Sequence, residues 1–212
     1  MLIGVPCLND RDRYGSYRDE SVAAAVKSIV KFGGDVAYEV FVTPNTHNPE
    51  LVGVVECDNV VVEKFLSGGY DYLWMVELDT IVPSFAFEKL VNLNVDVALG
   101  YYPSHGDFNR LIAGWVGEDA KIYYLPRFAL KGMVLRGWVF AGSGCMLVKR
   151  RVFLSGLRFK YVRWAGPDIV FSFEALKAGF KFALHGDVEC AHLPEWPLPQ
   201  NVLDVGCGEV AA

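Results

Sequence analysis

The chain has 212 residues and a formal net charge of −5, with 20 Lys and Arg set against 25 Asp and Glu and 52% hydrophobic residues. That is enough chain for one substantial core, and the mixed, mildly acidic charge excludes a general nucleic-acid surface, which requires a basic stripe. No apolar stretch is long enough to span a bilayer, and the apolar start Leu2 to Leu8 runs at once into Asn9-Asp10-Arg11-Asp12-Arg13, so no signal peptide is expected. Five dispersed cysteines (Cys7, Cys57, Cys145, Cys190, Cys207) lack metal-ligand spacing. They fit small core residues in a reducing, cytoplasmic compartment, with a bridge between distant members left open and a peripheral membrane association through a helix not excluded by composition.

In chain order, Leu2-Ile3-Gly4-Val5-Pro6 reads as a short buried strand opening into a polar loop. Glu20 to Phe32 carries Val22, Ala25, Val26, Ile29 and Val30 at helical spacing and stops at Gly33-Gly34. Val36 to Thr43 reads as a second strand ended by Pro44-Asn45, Asn59 to Leu66 as a helix closed by Ser67-Gly68-Gly69, and Tyr72 to Val76 as a third strand. Ser84 to Leu90 follows as a helix with Ser84 as its cap, then Val95 to Tyr101 as a fourth strand. Short apolar strands alternating with helices predict an α/β fold, a mostly parallel central sheet flanked by helices, with ligands bound beyond the strand carboxyl ends.

Residues 102 to 138 are turn-rich and irregular, with Lys121 to Leu125 the clearest strand, and read as a flap. Gly142-Ser143-Gly144 leads into a strand over Cys145 to Val148, Arg150 begins a short helix, and Pro167 to Ala178 forms a longer one stopped by Gly179. Strands over Phe180 to Leu184 and Val188 to Ala191 close the core. Residues 1–194 are thus expected to form one domain, with 195–212 a tail that wraps the surface.

The chemistry concentrates where the third strand ends in Glu77-Leu78-Asp79-Thr80-Ile81-Val82-Pro83. In an extended segment residues i and i+2 point to one side, so Glu77 and Asp79 face a common point beyond the strand. Two such acids beside an apolar sheet need a cation or hydrogen bonds to offset them, and oxygen ligands suit Mg2+ or Mn2+. The alternative is a pair of solvated or turn-capping acids. Asp168 follows Pro167 at the start of the last long helix; it either serves the helix dipole or, at the mouth of a cleft, acts as a base kept ionised by the helix terminus. His192, just past a strand, is a structural histidine or a third metal ligand, which would favour manganese somewhat.

Gly142-Ser143-Gly144 allows either a sharp turn or the approach of backbone amides to a ligand. Asn9 and the pair Asp58-Asn59 stand near predicted element ends, where they contact a nucleoside or diphosphate or, for Asn59, cap a helix. Tyr161 and Trp164 precede Asp168 in an aromatic stretch that suits a sugar acceptor or ordinary packing. Val202-Leu203-Asp204-Val205-Gly206-Cys207-Gly208 resembles the first motif of class I S-adenosylmethionine-dependent methyltransferases. Only four residues follow it, too few to complete that nucleotide-binding unit.

Taken in order, Ile3-Gly4-Val5-Pro6, Asp58-Asn59, Tyr72 to Pro83, Gly142 to Arg150, Gly166-Pro167-Asp168 and Cys190-Ala191-His192 resemble a GT-A-fold glycosyltransferase. The likeness is to the inverting family 2-like group of the nucleotide-diphospho-sugar transferase superfamily. The resemblance implies a metal-dependent transferase moving a sugar from a UDP- or GDP-sugar to a carbohydrate or other hydroxyl acceptor. It assigns Glu77 and Asp79 to the acid-x-acid motif, Asp168 to the catalytic base and His192 to the metal. Pro6, Asn9, Thr43, Asn45, Asn59 and Gly144 fall on the donor side, and Tyr161 and Trp164 on the acceptor side. Two departures stand out: Glu77 where aspartate is usual, and Pro167 where an acid often precedes the base. The rival readings are a metal-dependent nucleotidyltransferase and a non-catalytic nucleotide-sugar or carbohydrate-binding module.

Overall fold

A strand that is apolar at every position must be covered on both faces, and β1 (Leu2–Val5) and β5 (Val97–Tyr101) are buried along their whole length. A computed structural model describes the chain except residues 7–10, 44–49, 105–106, 118, 120, 127–129, 164 and 194–212; of 11–17, 50–51 and 107–108 only the backbone is described. In it these strands join β2 (Glu39–Val42), β3 (Tyr72–Met75), β9 (Val134–Arg136), β11 (Met146–Lys149) and β12 (Phe182–Glu189) in one seven-stranded sheet. Its order is β2-β1-β3-β11-β5-β12-β9.

The two-residue alternation of strand side chains divides the core. Leu73 and Met75 point to one face, where they meet Val61, Val62 and Phe65 of α2 (Glu50–Ser67), Phe153 of α4 (Arg150–Leu154) and Phe171 of α5 (Pro167–Lys177). Trp74 and Val76 point to the other, against Ala25 and Ile29 of α1 (Arg11–Phe32) and Ala86, Phe87 and Leu90 of α3 (Ala86–Asn92). Each buried Val, Leu, Ile, Met or Phe among these contributes roughly 1.5–3 kcal/mol. Arg150 fastens the layers: its guanidinium donates to the carbonyls of Phe65, Leu66, Gly68 and Tyr70 at 2.7–3.2 Å, closing the end of α2 where helix carbonyls lack partners.

The α/β layering is as expected, and five of the seven strands run one way, with β11 and β9 reversed among them. β1 pairs in parallel with β2 and β3, and β5 with β12, whereas β11 lies antiparallel between β3 and β5 and β9 lies antiparallel at the β12 edge. The cause is the segment after β5. It leaves and re-enters at the carboxyl edge, so β11 has to run back the other way. That segment is not irregular. β6 (Pro103–Ser104), β7 (Asp107–Val116), β8 (Ile122–Pro126) and β10 (Val139–Ala141) form a four-stranded antiparallel sheet. A register shift between Arg110 and Gly114 breaks the two-residue period that would have revealed β7.

Other boundaries move as well. α1 starts at Arg11, because the polar run before Glu20 forms helix without any apolar period, and α2 starts at Glu50, which puts Asp58-Asn59 inside the helix rather than at its cap. Ser84 does not cap α3: Phe85 holds that position without a side-chain bond, and Ser84 Oγ accepts from Lys31 at 3.0 Å. The two predicted final strands are the single β12, with a register shift inside it. A small ladder, β4 (Thr80–Ile81) with β13 (Ala191–His192), was not legible as strands. Among the described residues no helix is long and apolar enough to cross a membrane, and Cys57, Cys145 and Cys190 are buried and unbridged. The 195–212 tail, with its methyltransferase-like motif, lies outside the described residues.

Candidate active site

Glu77 and Asp79 do meet at the carboxyl end of β3, but not through extended alternation. The strand stops at Met75, and the amide of Thr80 donates to Glu77 O at 3.1 Å, closing a tight turn over Glu77-Leu78-Asp79-Thr80. From α1, Ser21 Oγ holds the turn by bonding Glu77 O at 2.7 Å and Thr80 O at 2.8 Å. The register of β4 with β13 sets His192 opposite Thr80, and the amide of Leu193 donates to Asp79 O at 2.8 Å. His192 Nε2 thereby comes to 3.6 Å from Asp79 Oδ2, and one ligand atom each of Glu77, Asp79 and His192 lie within 4.8 Å of one another.

The His192 ring is fixed by its second nitrogen. Nδ1 lies 2.9 Å from Pro103 O, and since a carbonyl only accepts, Nδ1 is the donor there and Nε2 is left facing Asp79. That second bond is the arrangement typical of a metal-ligating histidine. The ring of Tyr102 packs 4.7 Å from it. A mixed carboxylate–imidazole set of this kind fits Mn2+ or Mg2+, so the residues present suit the expected ion.

Both carboxyl oxygens of Glu77 are engaged. Ser143 donates to its Oε1 at 2.7 Å and Tyr102 to its Oε2 at 3.1 Å, while the amide of Gly144 donates to the Tyr102 oxygen at 3.2 Å. Burial, then the charge of Asp79, raises the Glu77 carboxyl to about 7, with Ser143 pulling the other way. Burial, followed by the charges of Glu77 and Asp168, pushes Tyr102 well above the usual phenol range, so it stays a donor. A Cβ on Gly144 would come within 2.6 Å of Thr80 Oγ1 and 2.9 Å of Glu77 Oε2, so only glycine leaves this network room.

Asp168 occupies the first turn of α5, after Gly166 and Pro167. The helix terminus favours its ionised form, as expected, but burial opposes it. The amides of Ile169 and of Asp168 itself favour the charge, but burial outweighs them and lifts the carboxyl from 3.8 to about 6. Asp168 is close enough for its charge to raise both Glu77 and Asp58.

The remaining expected residues divide. Pro6 and Thr43 are buried just beyond β1 and β2, and the amide of Thr43 donates to Val5 O at 3.0 Å. Asn59 does not join them: both ends of its amide bond the Phe159 backbone, at 3.0 and 3.1 Å, which ties α2 to the segment before α5. Tyr161 is exposed in that segment, whereas Asn9, Asn45 and Trp164 lie outside the described residues. Sequence reasoning missed Tyr102 and Ser21. A tyrosine at the carboxyl end of a buried strand was the available signal for the first; a serine on the apolar stripe of α1 was the signal for the second.

No protein-family model matches the chain, and no curated protein does. Solved structures match in fold. The chain is 19% identical to A197 from STIV, with 92% of this chain and 85% of that one covered at a TM-score of 0.55. A mutant of Drosophila beta-1,4-galactosyltransferase 7, in complex with manganese, UDP-Gal and xylobiose, matches at 18% identity over 92% of this chain and 71% of that one, TM-score 0.57. Residues 1–349 of S. aureus TarS match at 12% over 90% and 59%, TM-score 0.52. The protein therefore has a GT-A-like architecture, a mixed α/β sheet flanked by helices. The likeness reaches the fold and does not single out family 2.

Proposed function

We propose that the protein transfers a sugar from a nucleoside diphosphate sugar, UDP- or GDP-linked, to the hydroxyl of a carbohydrate or other acceptor, with inversion. The observation that carries this reading is the meeting of a carboxylate–imidazole triad and a helix-start carboxyl raised to about 6 beyond one edge of a GT-A-like sheet. Asp79 and His192, with Glu77 behind them, would hold Mn2+ or Mg2+. A bound ion supplies positive charge against the diphosphate. Asp168 takes the acceptor's proton as that oxygen bonds the anomeric carbon; the bond from this carbon to the diphosphate breaks, and its electron pair leaves with the diphosphate. Attack opposite the leaving group inverts the centre.

In this reading Pro6, Thr43 and Gly144 line the donor side with Asn9 and Asn45, Tyr161 and Trp164 the acceptor side, and residues 1–194 act as one domain. The three described cysteines, buried and unbridged, fit the cytoplasm. The test is product analysis with UDP-, GDP- and dTDP-sugars, with and without manganese. Release of nucleoside diphosphate with an inverted sugar product is expected. Release of pyrophosphate instead would make the protein a nucleotidyltransferase, and tight binding without turnover a binding module.

A further inference from the structure

Asp58 has no part in the chemistry above, yet it is fully buried and neither carboxyl oxygen has a hydrogen-bond partner among the described residues. Buried carboxyls are paired or bonded as a rule, because losing water without replacement is costly. Its place along the fold follows from its neighbours. Val61, on the same helix, presses on Gly4, and Gly4 is paired with Met75 in the β1–β3 register. α2 reaches β3 through the Gly68-Gly69 turn, so its start points toward the carboxyl edge of the sheet. Asp58 lies three residues nearer that start than Val61, roughly 4.5 Å at 1.5 Å per residue. Glu77 lies two residues beyond Met75, at most about 6.6 Å further along.

Asp58 and Glu77 are therefore at one level. Sideways, the bonds of Asn59 to Phe159 hold this turn of α2 against the segment that leads to Asp168. In keeping with that placement, burial and then the charges of Glu77 and Asp168 push the Asp58 carboxyl well above its usual range.

The missing partner has to donate hydrogen bonds, carry no negative charge and arrive with the substrate. A phosphate fails the first two conditions. A metal finds no cage among the described residues, since Asp58 is not one of the clustered ligands. Ring hydroxyls of a sugar meet all three. We propose that Asp58 is the specificity residue for the donor sugar: it accepts hydrogen bonds from the hydroxyls of a neutral hexose and excludes sugars that carry a carboxylate. This rests on the glycosyl-transfer reading and adds the class of sugar to it. The exclusion is repulsive: a carboxylate brought beside Asp58 would add to the charges of Glu77 and Asp168 that already bear on it.

The test is calorimetry, in manganese, of the better bound of UDP-glucose and GDP-mannose, its nucleoside diphosphate alone, and UDP-glucuronate, on the parent, Asp58→Leu and Asp58→Asn. Leucine fills a similar volume and removes both acceptors; asparagine keeps one and covers the case that the leucine variant does not fold. The expected result is a loss of about tenfold to a hundredfold in hexose-donor affinity for Asp58→Leu and a smaller loss for Asp58→Asn, with nucleoside diphosphate binding unchanged. The glucuronate-to-hexose affinity ratio should rise in both. Equal losses for the sugar nucleotide and the bare diphosphate, or no loss in either variant, would overturn the role of Asp58, the latter meaning that ordered water satisfies it, and leave glycosyl transfer standing. A parent that binds none of the sugar nucleotides overturns both.

Discussion

Asp168 stands between opposed influences, and their balance makes a prediction in two directions at once. Its own helix amides favour the anion, but burial prevails and the folded carboxyl titrates near 6 against an ordinary 3.8. The folded state thus binds this proton more tightly than the unfolded chain does. The stability associated with it is complete at low pH, falls as pH rises from about 4 to 6, and stays lower above that. The penalty at pH 7 is on the order of 2 kcal/mol, discounting for a side chain that is not wholly excluded from water. Asp168→Asn should raise the melting temperature at pH 7 but not at pH 4, and lower kcat by roughly 10²–10⁴-fold with donor binding retained. In the parent, kcat should fall as pH drops through about 6. A variant that turns over normally would remove Asp168 from the chemistry. Gly144→Ala tests the acid turn itself. Its methyl group would crowd Glu77 Oε2 and Thr80 Oγ1, so manganese affinity should drop at least severalfold while the circular dichroism spectrum stays that of the parent.

The element that makes the site is a turn braced from elsewhere. Glu77-Leu78-Asp79-Thr80 reverses the chain just past β3, and both of its outer carbonyls bond one hydroxyl, that of Ser21 in α1. A second serine two turns on, Ser28, accepts from the amide of Phe87 at 2.9 Å and so joins α1 to α3, away from the acids. The pair offers an internal control. Ser21→Ala and Ser28→Ala should each cost about 1 kcal/mol in denaturant unfolding, but only Ser21→Ala should weaken manganese binding. Equal effects on the metal would mean that the turn holds its shape unaided. Legibility at this scale followed the source of the signal. Strands β1, β3 and β5 and the buried face of α1 were readable because burial on both faces, or on one stripe, leaves an apolar pattern in the sequence. The polar start of α1, the bulged β7 and the two-residue strands β4 and β13 leave none, since their positions depend on partners far along the chain. Asn59 misled for a related reason: asparagine reads as a cap or ligand contact, whereas its amide serves the Phe159 backbone 100 residues away.

Across the whole molecule, the site joins segments that are distant in sequence. The acid pair belongs to the β3–β4 turn, His192 to β13 near the end of the described chain, and Tyr102 to the start of the inserted sheet. The acids and the histidine were each visible as candidates, yet their convergence was not, because it depends on the antiparallel β4–β13 ladder and on Pro103 O fixing the imidazole. A ligand that engages all three side chains therefore restrains the β3 turn and the last strand together, and it binds only where both are folded. Manganese at about 100 times its dissociation constant should add roughly 2.7 kcal/mol to unfolding free energy by mass action. In a chain of this size that corresponds to a melting temperature roughly 5–10 °C higher. EDTA should reverse the shift, and Asp79→Ala and His192→Ala should each abolish most of it. Glu77→Gln should retain more, since Ser143 and Tyr102 already engage both Glu77 oxygens. Scanning calorimetry of the parent and the three variants reads all of these at once. A manganese shift that survives Asp79→Ala would place the ion away from this turn and remove the triad from the mechanism.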